Sequence, residues 1–402
     1  MFSIQGSVLK GFMTLLLLSS ASGQRNICTL KPEESTFNSQ NDVATRLAGC
    51  TTINGSLFIS PKFEGTLALP GVEEILGNLE IATYHSSSEQ EQNSQITSGL
   101  REITLDNLES VYEMDTTNAP NLEIVRMQSL SRASKLRFNS TRLTNVTMHE
   151  LRQVDSIDFL GNFKEIGLGN LEIVNATLTI DSQAQEPPLG ISIPSLHSAK
   201  NINISGNISS VDLGFLNVVQ EKLVIKSTAP ISIWLAGLIN VTNIVIDGNF
   251  TESLNFPNLL QIFGDSSFRM ESPPKKPVSL EFDHLATAGA LDVHGNIADV
   301  FLGAGLHQIN GAFSIRSNAT MKNCDKIQTI WDQAQKGPQA SSFTCQGAPV
   351  PASSKSRKLG LGIGIGLGVP FLLLCIFLCW FCVKRRARAA PVLAQPAKPQ
   401  ES

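Results

Sequence analysis

The sequence predicts a mainly β chain, folded as a right-handed parallel β-helix with a stapled cap at each end and followed by one transmembrane helix. Three observations predict it. An apolar-x-apolar pair ending in Gly-Asn recurs through the middle of the chain, two cysteine pairs bracket the repeats, and an uncharged apolar run of 25 residues lies near the C-terminus.

The repeat is the strongest signal. Ile157-Asp-Phe-Leu-Gly161-Asn162, Ile202-Asn-Ile-Ser-Gly206-Asn207, Ile244-Val-Ile-Asp-Gly248-Asn249 and Leu291-Asp-Val-His-Gly295-Asn296 place their glycines 45, 42 and 47 residues apart. Each is preceded by a Leu-x-x-(Val/Ala) step: Leu151/Val154, Leu196/Ala199, Leu238/Val241 and Leu285/Ala288. About 20 residues on comes a second half-repeat: Leu171/Val174/Leu178/Ile180, Leu216/Val219/Leu223/Ile225, Leu259/Ile262/Phe268/Met270 and Leu306/Ile309/Phe313/Ile315. Three of these keep one spacing, and the third carries two extra residues before Phe268. Period-two apolar residues point to one side of a strand. A unit of this size cannot bury its apolar edge alone, so neighbouring coils must stack into a solenoid. Gly-Asn closes each strand, since both residues tolerate positive φ.

Before the regular array the pattern is looser. Ile53-Asn-Gly-Ser-Leu57-Phe-Ile59 is a strand, Val72, Ile75, Leu79 and Ile81 match the second half-repeat, and Leu100 to Val125 supplies further edges. Polar or Pro-rich insertions, Tyr84 to Ser98, Gln183 to Gly190 and Glu271 to Pro277, are surface loops.

Cys28 and Cys50 precede the array, and Cys324 and Cys345 follow it. In the oxidising secretory route local pairing, Cys28–Cys50 and Cys324–Cys345, is the natural expectation among three connectivities. Ser39 to Asp42 fits a capping box for a short helix that would cover the first open coil.

The ends set the address. Lys10, the apolar run from Phe12 to Leu18 and Ala21-Ser22-Gly23 form a signal peptide, residues 1–23, cleaved before Gln24. Residues 24–346 are the ectodomain and 347–358 a short juxtamembrane stalk. Residues 359–383 are long enough to span a bilayer as one helix. Lys384, Arg385, Arg386 and Arg388 open a cytoplasmic tail, 384–402, which places the ectodomain outside the plasma membrane. Gly360/Gly364 and Gly362/Gly366 have the spacing of a weak homodimer motif. Cys379 and Cys382, near the inner interface, are candidate palmitoylation sites, with small apolar helix residues as the alternative. Nine N-x-S/T sequons, at Asn54, Asn139, Asn145, Asn175, Asn203, Asn207, Asn240, Asn249 and Asn318, make the ectodomain a candidate glycoprotein.

These residues resemble the receptor L-domain, a leucine-rich-repeat-like β-helix also found in the insulin and epidermal-growth-factor receptor ectodomains. Ile53-Asn-Gly-Ser-Leu57 and Gly77-Asn-Leu-Glu-Ile81 carry the likeness. The overall plan is similar to the fungal cell-wall-organisation and sporulation-specific surface proteins, which share the early and late cysteine pairs and many sequons. That resemblance implies a role in cell-wall organisation and integrity. The chain departs from it in one respect: family members end in a glycolipid-anchor signal after a Ser/Thr-rich stalk, whereas here a charged stop-transfer sequence follows a short stalk. This puts covalent attachment to the wall in doubt.

Few residues suggest catalysis. Asp158 and Asp292, from comparable strands, face outward and could act on sugar as paired carboxylates, but Asn203 and Val245 occupy the matching places between them. The six histidines are scattered without metal-ligand spacing; His294 sits at a repeat turn and is expected to be exposed. No nucleophile elbow or phosphate loop occurs. No basic patch with aromatics points to nucleic acid, and net charge is −4. Trp234 ends the run Ile231-Ser-Ile-Trp and is expected in the core, with a single exposed platform as the alternative. The expectation is therefore a non-enzymatic surface protein, without cofactor or metal, that binds wall polysaccharide or a surface glycoprotein. Rival readings are a receptor signalling through a partner on the tail, where Pro396-Ala-Lys-Pro399 is a minimal docking pattern, and a polysaccharide-acting enzyme.

Overall fold

Period-two apolar pairs need a second apolar surface to face, and stacking the coils provides it. The computed structural model describes residues 25–81, 98–184, 186–273 and 276–349. The expected signal peptide, the expected span, the expected tail with Cys379 and Cys382, and most of the expected stalk and of the Tyr84–Ser98 insertion lie outside the described residues. Among the described residues no helix is long and apolar enough to cross a membrane.

The fold is a parallel β-solenoid. Its main sheet has 20 strands, with a 5-stranded sheet and a 3-stranded sheet against the other side of the core. Central rungs of the main sheet are Arg132–Ser140, Gln153–Gly161, Ile173–Ser182, Ser198–Gly206, Val218–Trp234, Asn240–Phe250, Gln261–Glu271 and Thr287–Gly295. Each pairs in parallel with the next. Register stacks the repeat in columns. One inward column runs Leu136, Ile157, Leu178, Ile202, Leu223, Ile244; a second runs Phe138, Phe159, Ile180, Ile204, Ile225, Ile246. All twelve are buried. Each such side chain contributes roughly 1.5–3 kcal/mol of burial, so the columns rather than any single bond hold the stack together.

The alternation of long and short half-repeats has a local cause. From Val154 to Ile157 and from Ala199 to Ile202 the chain takes three steps, but from Val174 to Leu178 and from Val219 to Leu223 it takes four. Register shifts fall at these places, so from Gln153–Gly161 onward every second rung carries a one-residue β-bulge. The third half-repeat follows the same rule, which corrects the expected two-residue insertion before Phe268. Ile262 to Ser266 is a four-residue bulged step, Ser266 pairs with Ile244 and Leu291, and Phe268 pairs with Ile246 and Val293. A serine has replaced an apolar residue there, and nothing was inserted.

The Gly-Asn closures divide into two kinds. Gly206 has φ +103° and Gly295 φ +134°, and a Cβ at either would collide with the carbonyl oxygen of Ser182 or Met270 on the preceding coil. Gly248 lies within the strand Asn240–Phe250 and does not adopt positive φ. The expected surface loop 183–190 also ends early, because Leu189–Ser192 is a strand with Leu189 and Ile191 buried.

Each end is stapled. Cys28 pairs with Cys50 and Cys324 with Cys345, both with Cα–Cα 5.7 Å. Helix α1, Gln40–Arg46, starts at Ser39, whose Oγ accepts from the Asp42 N–H. It buries Val43 and sets its Gln40 amide against the backbone of Ala68, donating to the Ala68 carbonyl at 2.8 Å and accepting from its N–H at 3.0 Å. Ala68 ends the strand Glu64–Ala68, the outer strand of the 5-stranded sheet. The cap thus covers the first coil as expected, satisfying a second-sheet edge through Gln40 while Arg46 Nη1 donates to the Thr36 carbonyl on the main sheet at 2.8 Å. Helix α2, Cys324–Gln333, does the same at the far end: Asn323 donates to the Val300 carbonyl on the outer strand Ile297–Leu302 of the 3-stranded sheet. Trp331 of α2 packs on Phe313 and Phe343 of the last rungs. An unpaired edge invites pairing with other chains, and these side chains occupy it.

Candidate ligand-binding surfaces

A solenoid packs its inward residues into the core, so its binding groups stand on the outward columns. Between the two inward columns of the main sheet lies an outward column: Asp115, Arg137, Asp158, Thr179, Asn203, Val224, Val245, Ser267, Asp292. Asp158 and Asp292 do share this column. They stand six rungs apart, about 29 Å at the usual strand spacing. Paired glycosidase carboxylates lie within about 10 Å of each other. The two aspartates therefore cannot serve one acid–base reaction.

At its start this face is laced by charge. Arg137 Nη1 lies 2.7 Å from Asp115 Oδ2 and Lys135 Nζ 3.1 Å from Glu113 Oε1. Burial of Asp115 acts to raise its pKa, but hydrogen bonds from Thr117 and the Arg137 guanidinium outweigh it and hold the carboxyl below the usual range. Asn175 and Ser134 donate to Asp155 and lower its pKa likewise. These groups tie neighbouring coils together.

Toward the C-terminal end, Arg269, His294 and Arg316 follow one another in the next outward column. They line a shallow basin of about 550 Å³ with Ser267, Glu271, Asp292 and Asn318. His294 is half-buried rather than exposed, because its Nε2 pairs with Asp292 Oδ1 at 2.8 Å. A second basin, of about 720 Å³, has mixed charge from Glu123, Arg142, Lys164 and Glu186. Among the described residues no cluster of three or more His, Cys, Asp or Glu could hold a metal ion.

The position of Trp234 overturns the expectation of a core residue. Its side is set by strand parity: Ile231 is buried and Ile233 packs against the core, so Ser232 and Trp234 point outward. Trp234 is 63% exposed. Phe215, in the turn between Leu213 and Leu216 on the preceding coil, is 64% exposed. Gly214, beside Phe215 in that turn, lies against the indole: a Cβ there would lie 2.9 Å from Trp234 Cδ1 and Nε1. Asp212 is the register partner of Trp234, and its Oδ1 accepts from the Gly214 N–H at 3.1 Å. Parity within Ile231-Ser-Ile-Trp could have found Trp234, whereas its seat on Gly214 depends on which coils stack.

All nine sequon asparagines are exposed or half-buried, and Asn139 and Asn203 sit on the outward main sheet. The sequons at Asn207 and Asn240 flank the segments 208–216 and 231–238 that carry Phe215 and Trp234.

The described residues form a parallel solenoid with stapled ends, and one of its segments matches a known family. Residues 49–154 match the receptor L domain. The match covers the part of the chain where the repeat is loosest, and the same ladder continues from it without a break into the more regular coils. Neither the curated proteins nor the solved structures contain a match to the chain. The receptor L domain match and the solenoid agree on fold for the matched segment.

Proposed function

We propose that this chain is a non-enzymatic cell-surface glycoprotein whose solenoid binds wall polymer or surface partners and so supports cell-wall organisation and integrity. The observation that carries this reading is the receptor L domain match within a continuous β-solenoid. A receptor L domain is a ligand-binding, non-catalytic type of domain, which favours recognition over turnover. The separation of Asp158 from Asp292 points the same way. The signal peptide, nine sequons, apolar run and basic tail of the sequence support a single-pass protein at the plasma membrane with its solenoid outside.

The receptor L domain also favours a second reading, a single-pass receptor that signals through a partner on its short tail. One experiment separates the two. Cells lacking the protein are tested for sensitivity to wall stress after expression of the full chain or of a chain ending after Arg388. Equal rescue by both supports the scaffold reading. Rescue by the full chain alone supports the receptor. Failure of both, with the protein present at the surface, removes the cell-wall role.

A further inference from the structure

We infer that the Trp234 ridge is a binding platform for a neutral polysaccharide; this rests on the proposal that the solenoid binds ligand, and names the site and the ligand class. The argument begins with what an exposed tryptophan costs. An indole left 63% in water forgoes burial that the core two residues away could have supplied. Here strand parity fixes it outward, and its surroundings hold it rigid. Its edge lies on Gly214, where any larger residue would displace it. Gly237 in turn approaches the backbone of Phe215 so closely that a Cβ would touch Phe215 Cα at 3.1 Å. The Asn217 amide, turned with its nitrogen toward the ridge, donates to Gly237 O at 3.2 Å and Phe215 O at 3.3 Å. The indole thus rests on a turn whose backbone is itself held against Gly237.

The rim selects the ligand. Asp212, beside the indole, spends Oδ1 on the Gly214 N–H and leaves Oδ2 as an acceptor. A flat apolar face next to a carboxylate acceptor suits a molecule with one C–H face and hydroxyl donors at its edge, which describes a pyranose ring. A carboxylate repels an acidic polymer, so the saccharide is neutral. A protein loop would also bury aromatics. The small apolar area and the lone acceptor favour the sugar, and a protein partner becomes an outcome of the test.

The experiment uses the full-length chain in detergent micelles. Titration calorimetry and saturation-transfer NMR are run with neutral hexasaccharides of β-1,3-glucose, β-1,4-N-acetylglucosamine and mannose, and with oligogalacturonate as the anionic control. At least one neutral hexasaccharide should bind, with transfer strongest to ring C–H protons. Trp234→Ala should weaken it about tenfold or more, the loss of one buried aromatic face. Phe215→Ala and Asp212→Asn should weaken it less, and Trp234→Phe should retain most of it. Melting temperatures should match the parent's, since the ring is exposed. Equal binding by Trp234→Ala, binding of the anion alone, or no binding of any neutral hexasaccharide would each overturn the platform. Sedimentation with isolated cell walls separates this failure from that of the broader proposal. If parent and Trp234→Ala both sediment with walls, the platform is wrong and wall binding stands; if neither does, wall binding itself is wrong.

Discussion

Ser266 sits in register between Ile244 and Leu291, the one hydroxyl in an inward column that is apolar from Leu57 to Phe343. It is 2% exposed, and its Oγ donates to the Ala290 carbonyl of the next coil at 2.6 Å. Phe256, Phe268 and Phe282, in mutual ring contact, fill that part of the core. Ser266→Ala removes the bond at little change in volume and should lower stability by about 1 kcal/mol. Ser266→Leu restores the column's apolar pattern but adds bulk beside three rings, and should cost about 1–3 kcal/mol. Urea unfolding of the two variants measures both. A stabilised Leu variant would mean the column has room that the ring packing denies.

This residue also marks the limit of what the sequence discloses. The two inward columns were legible because Ile157/Phe159 or Ile202/Ile204 repeat at period two with a constant partner, Gly-Asn. At Ser266 the apolar residue is missing, and Phe268/Met270 offers a false match two residues late; only the hydrogen-bond register resolves it. The cysteine pairs were legible because each lies at one end of the array. That each cap would cover an edge of a shorter sheet was not, since Ala68 and Val300 enter through backbone carbonyls that carry no sequence signal. Trp234 was misplaced because the run Ile231-Ser-Ile-Trp was weighed by hydrophobicity and not by parity. The seat of Trp234 on Gly214 and Asp212 joins two coils, and no spacing within one coil encodes it.

The Gly-Asn motif should separate into two classes under mutation. Gly206→Ala forces a Cβ onto the Ser182 carbonyl at a backbone angle that L-residues rarely adopt. The expected loss is about 1–3 kcal/mol. Gly248→Ala meets only Ile231 Cγ2, at 3.1 Å, the end of a side chain able to shift, and should cost less than about 1 kcal/mol. Thermal unfolding of the pair tests this. Equal losses would mean the motif is set by something other than φ.

The rung pair Asp115–Arg137 should make part of the stability depend on acid. Thr117 N–H donates to Asp115 Oδ1 at 2.8 Å, and Arg137 Nη1 lies 2.7 Å from Oδ2. The folded carboxyl titrates below its unfolded value, which is about 3.9. Its contribution is therefore complete above that value and is lost as pH falls through the lower, folded one. Both side chains are partly exposed, so Asp115→Asn should cost only about 0.5–1 kcal/mol at neutral pH. The difference between parent and variant should shrink as pH falls from about 4 to 2. A difference that stays constant over that range would assign the loss to packing and not to charge.

The caps should fail before the coils. Cys28–Cys50 and Cys324–Cys345 close loops of 22 and 21 residues, each worth up to about 3 kcal/mol by restricting the unfolded chain. In a stack of coils each rung is held by two neighbours, but a terminal rung has one, so losing a staple should open the end locally. Replacing Cys324 and Cys345 by alanine should release α2 and expose Trp331, now 8% exposed between Phe313 and Phe343. Replacing Cys28 and Cys50 should release α1 and free the Ala68 backbone from Gln40. Hydrogen exchange by mass spectrometry should show faster exchange in 40–68 for one variant and in 297–346 for the other, with the rungs from Gln153 to Gly206 unchanged in both. Uniform acceleration along the whole ladder would show that the coils unfold as one cooperative unit and that the staples stabilise the solenoid globally. Freed outer strands Glu64–Ala68 and Ile297–Leu302 would also present open backbone to other chains. The same variants should therefore self-associate at concentrations where the parent does not, which light scattering would detect.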